Sequence, residues 1–278
     1  MATSVSAVPD IVRSEPTPRA SLGDLLREWR KRRHQSQLAL ALQAGISQRH
    51  LSFVESGRAQ PSREMVLHLA EQLDVPLRER NRLLNAAGFA SMFPAHALDD
   101  PALEAARRAI ERVLKAHEPY PAIAIDRHWN LVSANAAASA FMAGVSPSLF
   151  GPPTNVLRAS LHPEGMAPRI ANLAQWRTHL VHRLQRECEL TGDTATGALL
   201  DELRGYAYPE SWTSSREPSI APADDRVFVP LVLRTDGGVL SFISTTTVFG
   251  TPVDVTVSEI ALECFFPADE ATAEFLRG

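Results

Sequence analysis

Residues 36–58 read SQLALALQAGISQRHLSFVESGR, and no other stretch of the chain restricts its fold as tightly. Ser36 stands where its hydroxyl can accept an orphan N–H of a first helical turn. Leu38, Ala41 and Leu42 then recur at helical spacing, which predicts an inward-facing set. Gly45 follows where a helix ends on a left-handed residue, a conformation glycine adopts without a Cβ clash. Ser47 can cap a second helix with Leu51 and Val54 facing inward. Gln48, Arg49, Ser52 and Phe53 are left on its other face, Gly57 closes it and Arg58 follows.

The flanks extend this pattern. Leu22, Leu25, Leu26 and Trp29 make an apolar stripe on a preceding helix. That helix ends in Arg30-Lys31-Arg32-Arg33, where cations suit the C-terminal dipole and are also expected to meet phosphates. Ser62 can cap a later helix with Val66, Leu69, Ala70 and Leu73 on one face. Pro76 opens another, which carries Leu77, Leu83, Leu84 and Ala87 and ends at Gly88. Five short helices over residues 21–90 predict a compact all-α domain. A short helix with Gln and Arg in its first turn can set them against base edges in a major groove.

On these residues, 21–90 resemble the Cro/C1 (XRE-type) helix-turn-helix family of bacterial transcriptional regulators. The matching residues are Ser36-Gln37, Leu40-Ala41, Gly45, Ser47, Glu55-Ser56-Gly57-Arg58 and Pro61-Ser62. The resemblance implies double-stranded DNA as a partner, with Gln48 and Arg49 reading bases and Gln37 bracing a phosphate. Ser47, Gln48, Arg49, His50, Ser52, Phe53 and Arg58 are the candidate contacts, together with Gln37. Phe53 departs from the polar residue common at its position. It can touch a thymine methyl or pack inside the domain.

The net charge of −4 alone argues against a nucleic-acid binder, but it averages over a split. Residues 1–90 carry 13 Lys+Arg against 9 Asp+Glu, and residues 91–278 carry 15 against 23. The positive excess falls on the helix-turn-helix, as docking on phosphate requires. The two cysteines, Cys188 and Cys264, lack a CxxC partner or histidines at metal-ligand spacing, which suggests a reducing, cytoplasmic setting. Residues 1–20 hold acids and prolines with no apolar run, so they read as a disordered tail and not a signal peptide. No stretch is apolar and long enough to span a bilayer.

Residues 91–100, with Pro94, the Asp99-Asp100 pair and Pro101 directly after them, read as a linker, and residues 101–278 as a second domain. A helix over about 102–116 carries Leu103, Ala106, Ile110, Val113 and Leu114 on its apolar side. Residues 121–126 then read as a strand, Arg127-His128 as a turn, 129–134 as a second strand, and Asn135 as the cap of a helix through Met142. Residues 155–161 form a short helix, Pro168 opens a long one to about Leu190, and 194–205 form another. Strands return at 226–233 and 239–249 around an Asp-Gly-Gly turn, with a last one from Val255 to Phe266 before a C-terminal helix. The order predicts an α+β, PAS-like domain: a five-stranded antiparallel sheet with helices on one side.

This half resembles the MmyB-like ligand-binding domain, a PAS-like module found behind Cro/C1-type readers. The resemblance rests on Ile125-Asp126, Trp129-Asn130, Asn135, Asn155-Val-Leu-Arg158, His162-Pro163, Trp176 and Phe265-Phe266-Pro267-Ala268-Asp269. It implies a small, mostly apolar effector between sheet and helices, with acyl or carboxylate-bearing molecules among the candidates and no other cofactor. The candidate ligand contacts are Trp129, Asn135, Trp176 and His179. Each also has a plainer reading: the tryptophans as core, Asn135 as a cap, and His179 and His182 as solvated or bonded to backbone. The functional reading sets one histidine against a polar head group at the mouth of an apolar pocket. The histidine pair has no third ligand nearby, which argues against a metal site.

No G-x-S-x-G, H-E-x-x-H, Walker or G-x-G-x-x-G pattern is present, so no catalytic residue is assigned. Asp99-Asp100 and Asp224-Asp225 read as solvated loops. The sequence predicts a cytoplasmic, homodimeric, effector-responsive DNA-binding regulator that is not an enzyme. The alternatives are a DNA-bound protein-interaction scaffold and an enzyme carrying a DNA-targeting domain.

Overall fold

The computed structural model describes residues 20–142, 144–213 and 228–278. The chain divides into two compact units between Met92 and Phe93. The residues read as a disordered tail, the first part of the strand placed at 226–233, and Asp224-Asp225 lie outside the described residues.

The first unit holds five helices: α1 (Leu22–Arg32), α2 (Gln37–Gln43), α3 (Gln48–Glu55), α4 (Arg63–Gln72) and α5 (Leu77–Ala86). Four begin on serine. Ser21, Ser36, Ser47 and Ser62 each accept the backbone N–H three residues on, which removes one orphan donor per helix. Gly45 turns the chain at φ +65° between α2 and α3, and Ile46 N–H returns to Ala41 C=O to close the end of α2. Leu26, Leu40, Leu51, Val66, Leu69 and Leu84 fill the core. Gly23 lets α1 meet the end of α3, where a Cβ would stand 2.2 Å from the Glu55 carbonyl oxygen.

One expectation fails here. Leu38 and Leu42 do not face inward: they are 51% and 73% exposed, while Leu40 and Ala41 are buried. A helix of seven residues presents apolar groups on two faces, and packing against α3 and α4 selects the one that carries Leu40.

The second unit opens with a 3₁₀ turn (Pro101–Leu103) and α6 (Glu104–Ala116). There follow β1 (Ala122–Ile125), β2 (Leu131–Ala134), α7 (Ala136–Phe141), α8 (Val156–Leu161), α9 (Leu173–Thr191), α10 (Thr194–Gly205) and α11 (Glu210–Thr213). The chain ends with β3 (Leu231–Thr235), β4 (Gly238–Val248), α12 (Val255–Ser258), β5 (Ala261–Pro267) and α13 (Glu270–Arg277). The five strands form an antiparallel sheet in the order β2-β1-β5-β4-β3. One apolar cluster lies between this sheet and α8, α9 and α10, and a smaller one sits under α6.

Four local expectations are corrected in this unit. Val113 on α6 is exposed, while Ile110 and Leu114 are buried. The β1–β2 connection is longer than a two-residue turn, because the Asp126 carboxylate accepts the N–H groups of both His128 and Asn130. Pro168 does not open α9. Residues 167–169 form a 3₁₀ turn, Ile170 is extended and bridges to Leu233, and α9 begins at Leu173. Residues 255–258 are helical, because the Asp254 carboxylate caps the N–H groups of Thr256 and Val257.

Candidate functional site

The reading face is set by α3. Gln48 and Arg49 are exposed in its first turn, and Ser52 lies half-buried one turn on. Ser47 is occupied as the cap through its hydroxyl, and His50 supplies the capped N–H. Phe53 lies outside the core cluster. Two cations lie near its ring, with the Arg49 guanidinium 5.3 Å and the Arg58 guanidinium 6.0 Å from its centre. Such cation–π contacts hold flexible arginines near one surface.

Behind this face lies a buried polar knot that sequence spacing did not single out. Arg30 donates from Nε and Nη2 to the two carboxylate oxygens of Glu55, at 2.7 and 2.9 Å. Gln37 donates to Glu55 Oε2 at 2.8 Å, and Arg27 donates to the Glu55 carbonyl at 2.7 Å. Burial pushes the Glu55 pKa up, but the hydrogen bonds from Arg30 and Gln37 and the charges of Arg30 and Arg27 outweigh it. The result is below the ordinary glutamate value. Gln37 is therefore oriented by Glu55.

The same geometry corrects the expectation for Arg30, the first residue of the basic run 30–33. Arg30 is buried, and Arg33 donates to the carbonyls of Leu73 and Asp74 and lies over Trp29. Both tie α1 to the rest of the unit, and the buried Arg30, committed to Glu55, is not placed to reach phosphate.

The second site is a cavity of about 390 Å³ between the sheet and α7, α8 and α9. That volume lies in the range of small-molecule sites, roughly 300–1,000 Å³. Ile123, Leu131, Phe141, Leu157, Leu180, Phe242 and Phe265 give it apolar walls, and Ala134 and Ala138 leave room inside.

Trp129 and Trp176 line this cavity; Asn135 and His179 do not. The Asp126 turn carries Trp129 into the left-handed region at φ +65° and aims its ring inward. Trp129 Nε1 donates to Glu187 at 2.8 Å. Burial raises the Glu187 pKa, against that hydrogen bond and the Arg183 charge. Trp176 Nε1 donates to the Ser160 hydroxyl at 3.3 Å. Asn135 is spent inside the fold: Oδ1 accepts from Ala122 and Ala138 N–H, and Nδ2 donates to the Leu114 and Tyr120 carbonyls. His179 stacks on the Trp176 ring and faces an outer groove with His182 and Arg186. Burial, then the charges of Arg183 and Arg186, hold its pKa below the ordinary value, so it is a poor cation for a carboxylate.

The polar group inside the cavity comes from elsewhere. Arg183 on α9 reaches Glu263 on β5, with Nη1 at 3.2 Å from Oε2 and Nη2 bonded to Oε1. Thr246 on β4 accepts from Arg183 Nη2 and donates to Glu263 Oε1, both at 2.9 Å. The Arg183 guanidinium also lies 4.4 Å from the centre of the Trp129 ring. Arg183 and Glu263 are 80 positions apart in sequence, so no local pattern announces their pairing.

Among the described residues, no group of three or more His, Cys, Asp or Glu gathers to hold a metal ion. No helix among them is long and apolar enough to cross a membrane. Cys188 and Cys264 form no disulfide, and burial raises the pKa of each thiol.

A family model for the MmyB-like transcription regulator ligand binding domain matches residues 106–278, and one described as helix-turn-helix matches residues 26–80. No curated protein matches the chain.

Proposed function

The chain belongs to the MmyB-like transcription regulators, a DNA-binding helix-turn-helix domain joined to a ligand-binding domain, and from that premise we propose that its effector is a small, largely apolar molecule held in the cavity of the second unit. The observation that carries this is the cavity itself: about 390 Å³ with almost wholly apolar walls. Transfer of apolar surface out of water supplies the binding free energy, roughly 25 cal/mol per Å² buried. A domain that served only as a protein-binding scaffold would gain stability by filling that space, since interior voids cost dispersion contacts.

At the reader, Gln48 and Arg49 contact base edges, and Ser47, His50, Ser52, Phe53 and Arg58 complete the interface with Gln37. Arg58 contacts phosphate. One such unit offers few contacts, so the chain acts as a homodimer on two half-sites about one helical turn apart. Effector binding then alters the spacing or orientation of the two readers.

Native mass spectrometry of protein taken directly from cells tests the ligand class. The expected result is a bound small molecule that extracts into organic solvent, and whose removal changes the affinity for operator DNA. Protein that carries nothing, and whose DNA binding no apolar extract alters, would overturn this reading. Gel shifts on operators of varied half-site spacing test the dimer, which indifference to spacing excludes.

A further inference from the structure

We propose that this cavity selects a neutral amphipathic molecule, an apolar body with a hydroxyl, ester or ketone head, over the corresponding carboxylate. The inference rests on the reading of the cavity as an apolar ligand site and deepens it. Among the described residues lining the cavity, the charged ones are Arg183 and Glu263, and they are paired. The Glu263 side chain is 4% exposed and that of Arg183 24%. The cavity end therefore carries hydrogen-bonding groups but no net charge.

A carboxylate drawn to the guanidinium would stand beside the Glu263 carboxylate, and like charges a few ångströms apart inside protein repel strongly. Rotating Glu263 away would leave a buried anion unpaired, which is costlier still. Glu187 lies on the same side, bonded to Trp129 beneath the guanidinium, and offers a ligand anion no relief. A neutral oxygen meets none of these penalties. It can accept from an Arg183 N–H, or exchange hydrogen bonds with the hydroxyls of Ser139, Ser160 or Ser244, which also line the cavity.

The test is calorimetric titration of the full chain with 1-decanol and with decanoate at about pH 8, where the acid is ionised. Decanol is expected to bind at least about tenfold more tightly, the scale of a close like charge inside protein. E263Q removes the opposing charge and leaves Arg183 in need of an anion, so it should narrow or reverse the preference. Should that variant fail to fold, the wild-type comparison still decides. Decanoate binding as tightly as decanol to the wild type would overturn the selectivity alone. Binding of neither would overturn the apolar ligand site on which it rests.

Discussion

Arg30 grips both carboxylate oxygens of Glu55 in the interior of the first unit, and the same carboxylate accepts from Gln37 at the start of α2. Removing one partner of such a pair leaves an uncompensated buried charge, so Glu55→Ala is expected to cost the first unit about 3–5 kcal/mol. The double variant R30M/E55L removes both charges and should recover much of that loss. Urea unfolding followed by circular dichroism checks both; equal losses in the single and double variants would exclude this role. The pair also sets a pH dependence. The Glu55 pKa is lowered on folding, so its contribution is complete above the unfolded value near 4.5 and is lost as pH falls through the lower folded value. Neutral and mildly alkaline solutions should leave the contribution untouched.

Arg49 and Arg58 both contact the Phe53 ring, yet they should fail differently. Arg49→Ala is expected to cost about 1–3 kcal/mol on the cognate operator and to relax one base position, as loss of a base contact does. Arg58→Ala should weaken all sequences alike and lower the salt slope by about one, as loss of a phosphate contact does. Binding measured on a panel of single-base operator variants at two salt concentrations separates the two. Uniform weakening by Arg49→Ala would make it a phosphate contact.

Asn135 stands between β2 and α7 with four hydrogen bonds inside the fold, two accepted and two donated. Asn135→Ala strips buried N–H and C=O groups of partners, each worth about 1–3 kcal/mol when left unsatisfied. The expected outcome is a large loss in the unfolding midpoint of the second unit. Effector affinity of the protein that remains folded should change little, because Asn135 does not line the cavity. A selective loss of effector binding with normal stability would return Asn135 to the ligand site.

What was legible in the sequence was local. Ser36, Ser47 and Ser62 announce helix starts because a cap acts within three residues, and Gly45 announces a stop because its φ is positive. The presence of five strands in the second unit followed from turns and alternation, but their order in the sheet did not. Competition between local signals was harder to weigh. Val255-Thr-Val-Ser258 is β-branched and reads as strand, yet one capping carboxylate at Asp254 makes it helical. Leu38 and Leu42 have the same spacing as buried residues, and only the packing of α2 shows otherwise. Pairs that close across the chain left no sequence signal. Arg30 looked like part of a basic run until Glu55, 25 residues on, claimed it. Arg183 drew no notice beside His179, although it and not the histidine reaches into the cavity.

Ala134 lies on β2 with its small side chain at the cavity wall, which makes it the place to fill the space without removing anything. Ala134→Phe should occupy part of the 390 Å³ and gain contacts there, whereas the same change in a packed core would be strongly destabilising. The unfolding midpoint is therefore expected to hold or to rise slightly, by about 1 kcal/mol at most. Effector binding should be lost, while operator affinity of the effector-free protein is preserved, since the reader is untouched. What should vanish is the response: adding effector no longer changes DNA binding. Calorimetry with the effector and gel shifts with and without it, on wild type and variant side by side, check all three outcomes. A variant that keeps its effector response would place the effector outside this cavity.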